Sequence, residues 1–79
     1  MTAWRESDIQ TCLEAFFPGD MIRVTGDGRH FEAHVISERF SALRPLQRHR
    51  LVYDALGDHM REDVHALSIK ALTPTEFNN

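Results

Sequence analysis

The turn Gly26-Asp27-Gly28 separates two segments in which apolar residues recur at every second position. These segments are Met21 to Thr25 and Arg29 to Ser37. A period of two is typical of half-buried strands, and glycine and aspartate suit a tight turn because they accept positive φ. The alternating apolar residues are Ile22, Val24, Phe31, Ala33 and Val35. The pattern predicts a β-hairpin, and because the glycines join two strands and open no helix, they do not indicate a phosphate loop.

A helix is predicted before the hairpin. Ser7 and Gln10 have the spacing of a capping box, and Asp8 places a carboxylate in the first turn, where the helix dipole favours it. Pro18-Gly19 is expected to end the helix. One face carries the residues predicted to be buried, including the single cysteine as a small core residue. These residues are Ile9, Cys12, Leu13, Phe16 and Phe17.

A second helix is predicted from Pro45, which suits the first helical position, to Gly57, which suits the left-handed residue after a helix. Residues 37–44 form the connector before it, with Phe40 and Leu43 expected to pin it to the core. The helical face expected to be buried comprises Leu46, His49, Val52, Tyr53 and Leu56, whereas Gln47, Arg48, Arg50 and Asp54 are expected to point elsewhere.

The rest of the chain predicts a short helical turn from Asp58 through Glu62, a strand from Val64 to Leu72, and a C-terminal turn ending near Phe77. The last turn carries a capping box at Thr73-Pro74-Thr75-Glu76. The predicted order is α-β-β-α-α-β-α. A helical crossover between the second and third strands makes them parallel, so we expect an α+β fold with a mixed three-stranded sheet and helices on one face.

At 79 residues the chain has room for one domain, assigned to residues 1–79. Twelve acidic and nine basic residues give a net charge of −3, which disfavours a binder that depends on wholesale phosphate neutralisation. A single cysteine leaves no intramolecular disulfide and fits a reducing compartment. With no long apolar segment, we expect a cytoplasmic, monomeric protein that does not contact membranes.

The side chains that could carry chemistry form no catalytic motif. None of the five histidines makes the HExxH spacing of a helix-borne zinc site, and no serine lies in a nucleophile elbow, so we do not expect an enzyme. By spacing alone, His65 is a core-edge histidine at the start of the third strand, and His30 is a surface histidine. The local positive bias comes from Arg39, Arg44, Arg48 and Arg50, which form either a solvated helix face or a surface that lies against phosphates.

Five segments in order resemble successive blocks of the BolA family, over nearly all of the chain after the first helix. They are GDGRHF (26–31), VISERF (35–40), LQRHRLVY (46–53), VHALSIK (64–70) and TPTE (73–76). The resemblance implies a fold similar to the type II KH domain, in agreement with the predicted order.

The resemblance also implies a role in iron–sulfur traffic. BolA-like proteins partner monothiol glutaredoxins of the CGFS type, with glutathione, and the heterodimer shares a [2Fe–2S] cluster that the isolated chain is not expected to hold. The family's histidine ligand falls on His65. Its second ligand, a Cys or His in the loop between the first two strands, has His30 as its nearest equivalent, since the loop here is the short GDG form.

A second function attached to the family is transcriptional regulation through DNA. It would use the arginine-rich helix, with Arg44, Arg48, His49 and Arg50 as the candidate contacts. KH modules grip nucleic-acid backbones through a GxxG loop, and residues 55–59 here read Ala-Leu-Gly-Asp-His, so RNA binding of the KH type is not expected.

Overall fold

The computed structural model describes residues 5–27, 29–57 and 67–79. These residues form α1 (Glu6–Phe16), β1 (Met21–Gly26), β2 (Phe31–Ile36), a 3-10 turn (Glu38–Phe40), α2 (Pro45–Leu56), β3 (Leu67–Leu72) and α3 (Pro74–Asn78). The predicted α+β class is confirmed. The helical turn predicted from Asp58 to Glu62, and the predicted start of the third strand at residues 64–66, lie outside the described residues.

The three strands form one mixed sheet in the order β1-β2-β3, with β2 in the centre. β1 and β2 are antiparallel, with Met21 opposite Ile36 and Gly26 opposite Phe31. β2 and β3 are parallel, with Phe31 opposite Leu67. Both predicted strand orientations are therefore confirmed, and the crossover through α2 brings the starts of β2 and β3 to the same end of the sheet.

The core lies between one face of the sheet and the helices α1 and α2. The alternation predicted for β2 is confirmed, since Phe31, Ala33 and Val35 are buried there while Glu32 on the opposite face is exposed. Cys12 is half-buried against this core, in accord with its prediction as a core residue. The helical and connector residues that complete the core are Ile9, Leu13, Phe17, Phe40, Val52 and Leu56.

The N-terminus of α1 differs from its prediction. Ser7 does not cap the helix but lies within it, where its carbonyl accepts a hydrogen bond from the Thr11 hydroxyl at 2.8 Å. The Asp8 carboxylate instead accepts from the backbone N–H of Arg5 at 3.0 Å, so the helix begins at Glu6. Asp8 does lie in the first turn, as predicted. Its carboxylate, however, completes a capping box that starts at Arg5, not the predicted box that starts at Ser7.

The buried face of α2 also differs from its prediction. Leu46 is 64% exposed, so its predicted place on the core face is wrong. Arg48 is predicted to point away, but its side chain is only 12% exposed and lies in line with the apolar residues of the next two turns. Those residues are Leu51, Val52, Ala55 and Leu56. The observed stripe is rotated from the predicted one because the long stem of an arginine can be buried when its head is bonded.

The connector between β2 and α2 is packed against both helices, as predicted for Phe40. Phe40 is fully buried, and its ring lies 5.6 Å from that of Phe17. Ser37 ends β2 because its hydroxyl accepts from the N–H of Arg39 and starts the 3-10 turn. The Arg39 guanidinium lies 4.8 Å from the Phe16 ring centroid and donates to the Phe16 carbonyl at 2.7 Å, which joins the connector to the end of α1.

The remaining helix signals are confirmed. Pro45 occupies the first turn of α2, and Gly57 follows α2 with a positive φ of +67°, although its ψ of −163° differs from that of the predicted left-handed residue. In the C-terminal box, the Thr73 hydroxyl accepts from the N–H of Glu76 while the Glu76 carboxylate accepts from the N–H of Thr73. Among the described residues, no helix combines the length and the apolar character needed to cross a membrane.

Candidate functional site

The hairpin turn fixes one predicted metal-ligand position, His30. The Asp27 carboxylate accepts from the backbone N–H groups of Arg29 at 2.9 Å and His30 at 2.8 Å. The N–H of His30, followed by that of Arg29, lowers the pKa of Asp27 because both bonds favour the charged carboxylate. β2 therefore begins at Phe31 rather than at Arg29 as predicted, since both preceding amides are bonded within the turn.

Gly26 supports this turn through close packing. A Cβ at Gly26 would lie 2.7 Å from Phe31 Cδ1 and 2.8 Å from the His30 carbonyl oxygen. The sequence prediction explains the turn glycines by positive φ, but Gly26 is not among the glycines with positive φ. The absence of a side chain at Gly26 is what allows the Phe31 ring and the turn backbone to approach β1.

A cleft at this end of the sheet contains His30. It is lined by Thr25, Gly26, Asp27, His30, Phe31, Glu32 and Ser68. Ser68 belongs to β3, whose first residue, Leu67, pairs with Phe31. The start of β3 therefore contributes to the same cleft as the hairpin turn. His65, the other predicted ligand, lies outside the described residues, two positions before Leu67.

The His30 side chain is exposed, and its imidazole makes no hydrogen bond with another described residue. An imidazole nitrogen is a suitable ligand for iron and zinc. Within residues 5–27, 29–57 and 67–79, no three His, Cys, Asp or Glu side chains are grouped closely enough to hold a metal ion. In the described part of the cleft, His30 therefore offers a single nitrogen ligand.

Glu32 and His34 form a pair along the face of β2 that points away from the core. The two side chains are joined by a hydrogen bond of 2.5 Å, and both remain partly exposed. The hydrogen bond from His34 lowers the pKa of Glu32, because it favours the ionised carboxylate. The Glu32 carboxylate therefore already has a hydrogen-bond partner, His34, on its own strand.

The four candidate nucleic-acid contacts fall into different environments. Arg44 and Arg50 are exposed, and His49 is half-buried. Arg48 is bonded internally: its guanidinium donates to the Leu43 carbonyl at 2.9 Å and the Ala71 carbonyl at 3.1 Å. It also forms two bonds to Glu76, the shorter of 2.6 Å. The structure therefore does not bring the four side chains onto one exposed surface.

The bonds of Arg48 were not predicted from the sequence, although the sequence contains a signal for them. Positions 48, 51, 52, 55 and 56 form a helical stripe in which Arg48 is the one polar member. Glu76 is predicted as a capping residue, and the same carboxylate binds Arg48. This double role lowers the pKa of Glu76 to about 2, chiefly through the hydrogen bond from Arg48 and then through the N–H of Thr73.

Comparison with known proteins agrees with this fold. Residues 13–76 match the family model described as BolA-like protein. The solved structure of a BolA protein homologue from Coxiella burnetii superposes with a TM-score of 0.81 at 43% identity, covering 96% of this chain and 99% of that one. The chain therefore belongs to the BolA-like protein family.

Curated relatives carry more than one description. The BolA-like protein 1 of Mus musculus is 48% identical over 52 residues, which is 66% of this chain and 38% of the relative. The DNA-binding transcriptional regulator BolA of Vibrio cholerae is 46% identical over 66 residues, which is 82% of this chain and 62% of the relative. The chain thus matches less than two thirds of the length of either relative.

Proposed function

We propose that this chain is an adaptor that partners a monothiol CGFS glutaredoxin and shares a [2Fe–2S] cluster with it, serving iron–sulfur trafficking or iron and redox sensing. His65 and His30 would be the nitrogen ligands from this chain, and the glutaredoxin and glutathione would supply thiolates. Membership of the BolA-like family supports the proposal. The cleft at the hairpin end of the sheet is the site where we place it.

The parallel register of β2 and β3 is the observation that carries the proposal. It sets Phe31, the residue after His30, opposite Leu67. His65 is two residues before Leu67, and two residues of chain span at most about 7 Å. In the sequence, His65 therefore comes just before the β3 residue that lies at the end of the sheet where the His30 imidazole is exposed, and this proximity along the chain supports the proposal.

Histidine ligation suits a cluster that is passed on or used as a sensor. An imidazole in place of a thiolate raises the cluster potential, as in Rieske centres. It is also a ligand that protons can displace, since protonated imidazole does not coordinate iron. We therefore expect the heterodimer cluster to lose its histidine-dependent signals as the pH falls through the range in which imidazole titrates.

The test is anaerobic cluster reconstitution of the full chain with a CGFS glutaredoxin and glutathione, followed by visible absorption and circular dichroism. His65→Ala should remove the spectral features that distinguish the heterodimer cluster from that of the glutaredoxin homodimer. His30→Ala should have a smaller effect. His34→Ala is the matched control, because His34 is on β2 but lies about 10 Å further along the strand than Phe31.

Two results would contradict the proposal. One is the absence of any heterodimer by native mass spectrometry together with an unchanged glutaredoxin spectrum. The other is a His65→Ala heterodimer whose cluster spectrum matches that of the wild type. Thermal unfolding of each variant shows whether a spectral loss reflects a lost ligand or a destabilised fold.

A second candidate function is DNA-binding regulation, favoured by the name of the Vibrio cholerae relative. The exposed Arg44 and Arg50 are the side chains that could contact phosphates, whereas Arg48 is held by Glu76. Each phosphate contact adds about one to the slope of log affinity against log salt. Arg44→Ala and Arg50→Ala should each lower that slope by about one, and a slope unchanged in both variants would contradict this function.

A further inference from the structure

The sheet has a second face, which points away from α1 and α2, and its side chains are arranged in rows. We call it the outer face. Cross-strand pairing gives three rows that each take one residue from β1, β2 and β3. The rows are Met21–Ile36–Leu72, Arg23–His34–Lys70 and Thr25–Glu32–Ser68. An apolar row is therefore followed by a basic row and then by a polar row.

A groove runs along the β1 and β2 side of the outer face, and Phe77 of α3 forms part of its apolar end. Met21 and Phe77 are 58% and 50% exposed, which makes them two of the most exposed large apolar side chains of the described residues. The groove passes from these residues along Arg23 to Thr25 and Glu32. Exposed apolar side chains bordered by polar ones are typical of interaction sites.

The two edges of the sheet differ in how they are protected. At the β3 edge, Arg48 donates to the Ala71 carbonyl, so a side chain blocks that strand near its end. At the β1 edge, Gln10 donates to the Ile22 carbonyl at 2.9 Å. Strand edges that carry such partners are less able to pair with another chain.

Within residues 5–27, 29–57 and 67–79, nothing is hydrogen-bonded to the β1 edge beyond Ile22. Backbone groups alternate in direction along a strand, so those of Val24 and Gly26 point outward as Ile22 does. Among the described residues, neither of these two has a hydrogen-bond partner at this edge. The open part of the edge lies directly beside the groove.

Arg23 gives this edge its charge. Arg23 is exposed and forms no ion pair with another described residue. The nearby carboxylate in the groove, Glu32, is already bonded to His34. A carboxylate from outside is therefore the natural partner for the Arg23 guanidinium.

We propose that the β1 edge binds an extended segment of a partner protein, which adds a strand to the sheet. The segment carries an acidic residue opposite Arg23 and an apolar residue opposite Met21, next to Phe77. Main-chain bonds to Val24 and Gly26 provide the pairing, and the alternate side chains of the segment provide the specificity. This site borders the His30 cleft, with which the groove shares Thr25 and Glu32, but it uses neither proposed cluster ligand and does not depend on the cluster.

Charge and register favour this occupant over two others. A second copy of the chain paired antiparallel through its own open positions, with Val24 opposite Gly26, would place Arg23 opposite Asp27. The Asp27 carboxylate already accepts from the N–H groups of Arg29 and His30, so it is not available in the way a carboxylate on an extended segment is. A nucleic-acid strand would meet the Glu32 carboxylate at one end of the groove, and Phe77 at the other end is the single Phe, Tyr or Trp ring among the described lining residues on which a base could stack.

The probe is a blocked heptapeptide, Ser-Thr-Val-Glu-Val-Leu-Ser, whose second, fourth and sixth side chains would face the polar, basic and apolar rows. A matched peptide has Lys in place of Glu. Titration of the ¹⁵N-labelled full chain should give saturable shifts at Val24 and Gly26 that exceed those at Ile69 on the opposite edge. The Lys peptide should bind about fivefold more weakly, since opposite charges across a pair stabilise it and like charges destabilise it.

Variants make the test specific. Arg23→Glu should reverse the preference, so that the Lys peptide binds better than the Glu peptide. Lys70→Glu, in the same row but outside the groove, should leave the preference unchanged. Val24→Pro removes an outward N–H without removing a bond to β2, and it should abolish binding while the spectrum stays that of a folded chain.

Two results would overturn the proposal directly. One is the absence of saturable chemical-shift changes at peptide concentrations up to the millimolar range, and the other is a preference for the Glu peptide that Arg23→Glu does not change. Displacement of the peptide by oligothymidylate would assign the groove to nucleic acid. A concentration-dependent dimer in sedimentation that Val24→Pro disrupts would assign the edge to a second copy.

Discussion

At the scale of single residues, Arg48 shows how a charged side chain can hold a small fold together. Its guanidinium bonds the Leu43 and Ala71 carbonyls and the Glu76 carboxylate, and it lies 5.9 Å from the Phe40 ring centroid. One side chain thus connects α2 with the connector before it, with β3 and with α3. A planar guanidinium can make these bonds at once because its donors diverge in fixed directions.

Arg48→Ala should lower the free energy of unfolding by about 2–3 kcal/mol, because hydrogen bonds to charged groups are lost and buried acceptors are left without partners. Arg48→Lys should recover part of this loss, since an ammonium group cannot match the forked geometry. Urea unfolding measures the free energy of unfolding of both variants. Arg50→Ala, at an exposed position of the same helix, should change the free energy of unfolding by less than about 0.5 kcal/mol. If Arg50→Ala lost as much stability as Arg48→Ala, the internal bonds of Arg48 would not be the cause of its effect.

The Arg48–Glu76 pair also makes stability depend on pH. The pKa of Glu76 is about 2 in the folded chain, against an ordinary value of 4.5. A carboxyl whose pKa is lowered on folding stabilises the fold above its unfolded pKa, and this contribution is lost as the pH falls through the folded pKa. The loss should therefore occur between about pH 5 and pH 2.

In urea unfolding at a series of pH values, Glu76→Gln should be less stable than wild type at neutral pH, and the two should converge as the pH approaches 2. Glu14→Gln, which changes an exposed carboxyl on α1, serves as the control and should not converge in this way. A constant difference between Glu76→Gln and wild type across the acid range would show that Glu76 acts through its shape rather than its charge.

At the scale of elements, the hairpin depends on a glycine required for space. A Cβ at position 26 would lie closer than 3.0 Å to both a ring carbon of Phe31 and the His30 carbonyl oxygen, and the second of these is backbone that cannot move aside cheaply. The turn that carries His30 is thereby coupled to the packing of Phe31 in the core.

Gly26→Ala should lower stability by about 1–3 kcal/mol, the usual range for overpacking. It should also shift the backbone resonances of Asp27 and His30, because the turn has to move to admit the methyl group. Thr25→Ala, at the neighbouring exposed strand position, should cost no more than about 1 kcal/mol and leave those resonances in place. Similar shifts in both variants would argue against the close-packing account.

At the scale of the whole molecule, α1 and α2 cover one face of a three-stranded sheet while Phe77 of α3 lies at the other face, and the core between the sheet and the two long helices is small. A chain of 79 residues has an expected stability of only about 4–12 kcal/mol. Phe40 has a central position in this core, since it is fully buried and packs against Phe17 while lying under the Arg48 guanidinium.

Phe40→Ala should cost about 3–5 kcal/mol, a large share of that stability, and should lower the cooperativity of thermal unfolding monitored by circular dichroism. Phe40→Leu keeps most of the apolar volume and should cost less than about 1.5 kcal/mol. If Phe40→Ala unfolds with the same midpoint as wild type, the connector is not part of the cooperative core.

The local signals in the sequence determined most of the architecture. The period-two pattern of β2, the prolines at the starts of α2 and α3, the glycine after α2 and the box at Thr73 depend on neighbours within four residues, so each can be recognised from the chain alone. The resemblance to the BolA family, which rests on five short blocks, is confirmed by the family match and by the solved homologue.

Tertiary structure decided what depends on contacts between distant parts of the chain. Arg48 is 28 residues from Glu76 and 23 from Ala71, so no local pattern reveals that its charge is satisfied inside the fold. Leu46 is exposed for the same reason, because the packing of α2 against α1 and β3 sets the rotation of the helix. The sheet register decided that Met21 lies beside Ile36 and Arg23 beside His34, and the position of α3 brought Phe77 to the same groove, since a strand pattern gives the face of a residue but not its neighbours from other parts of the chain.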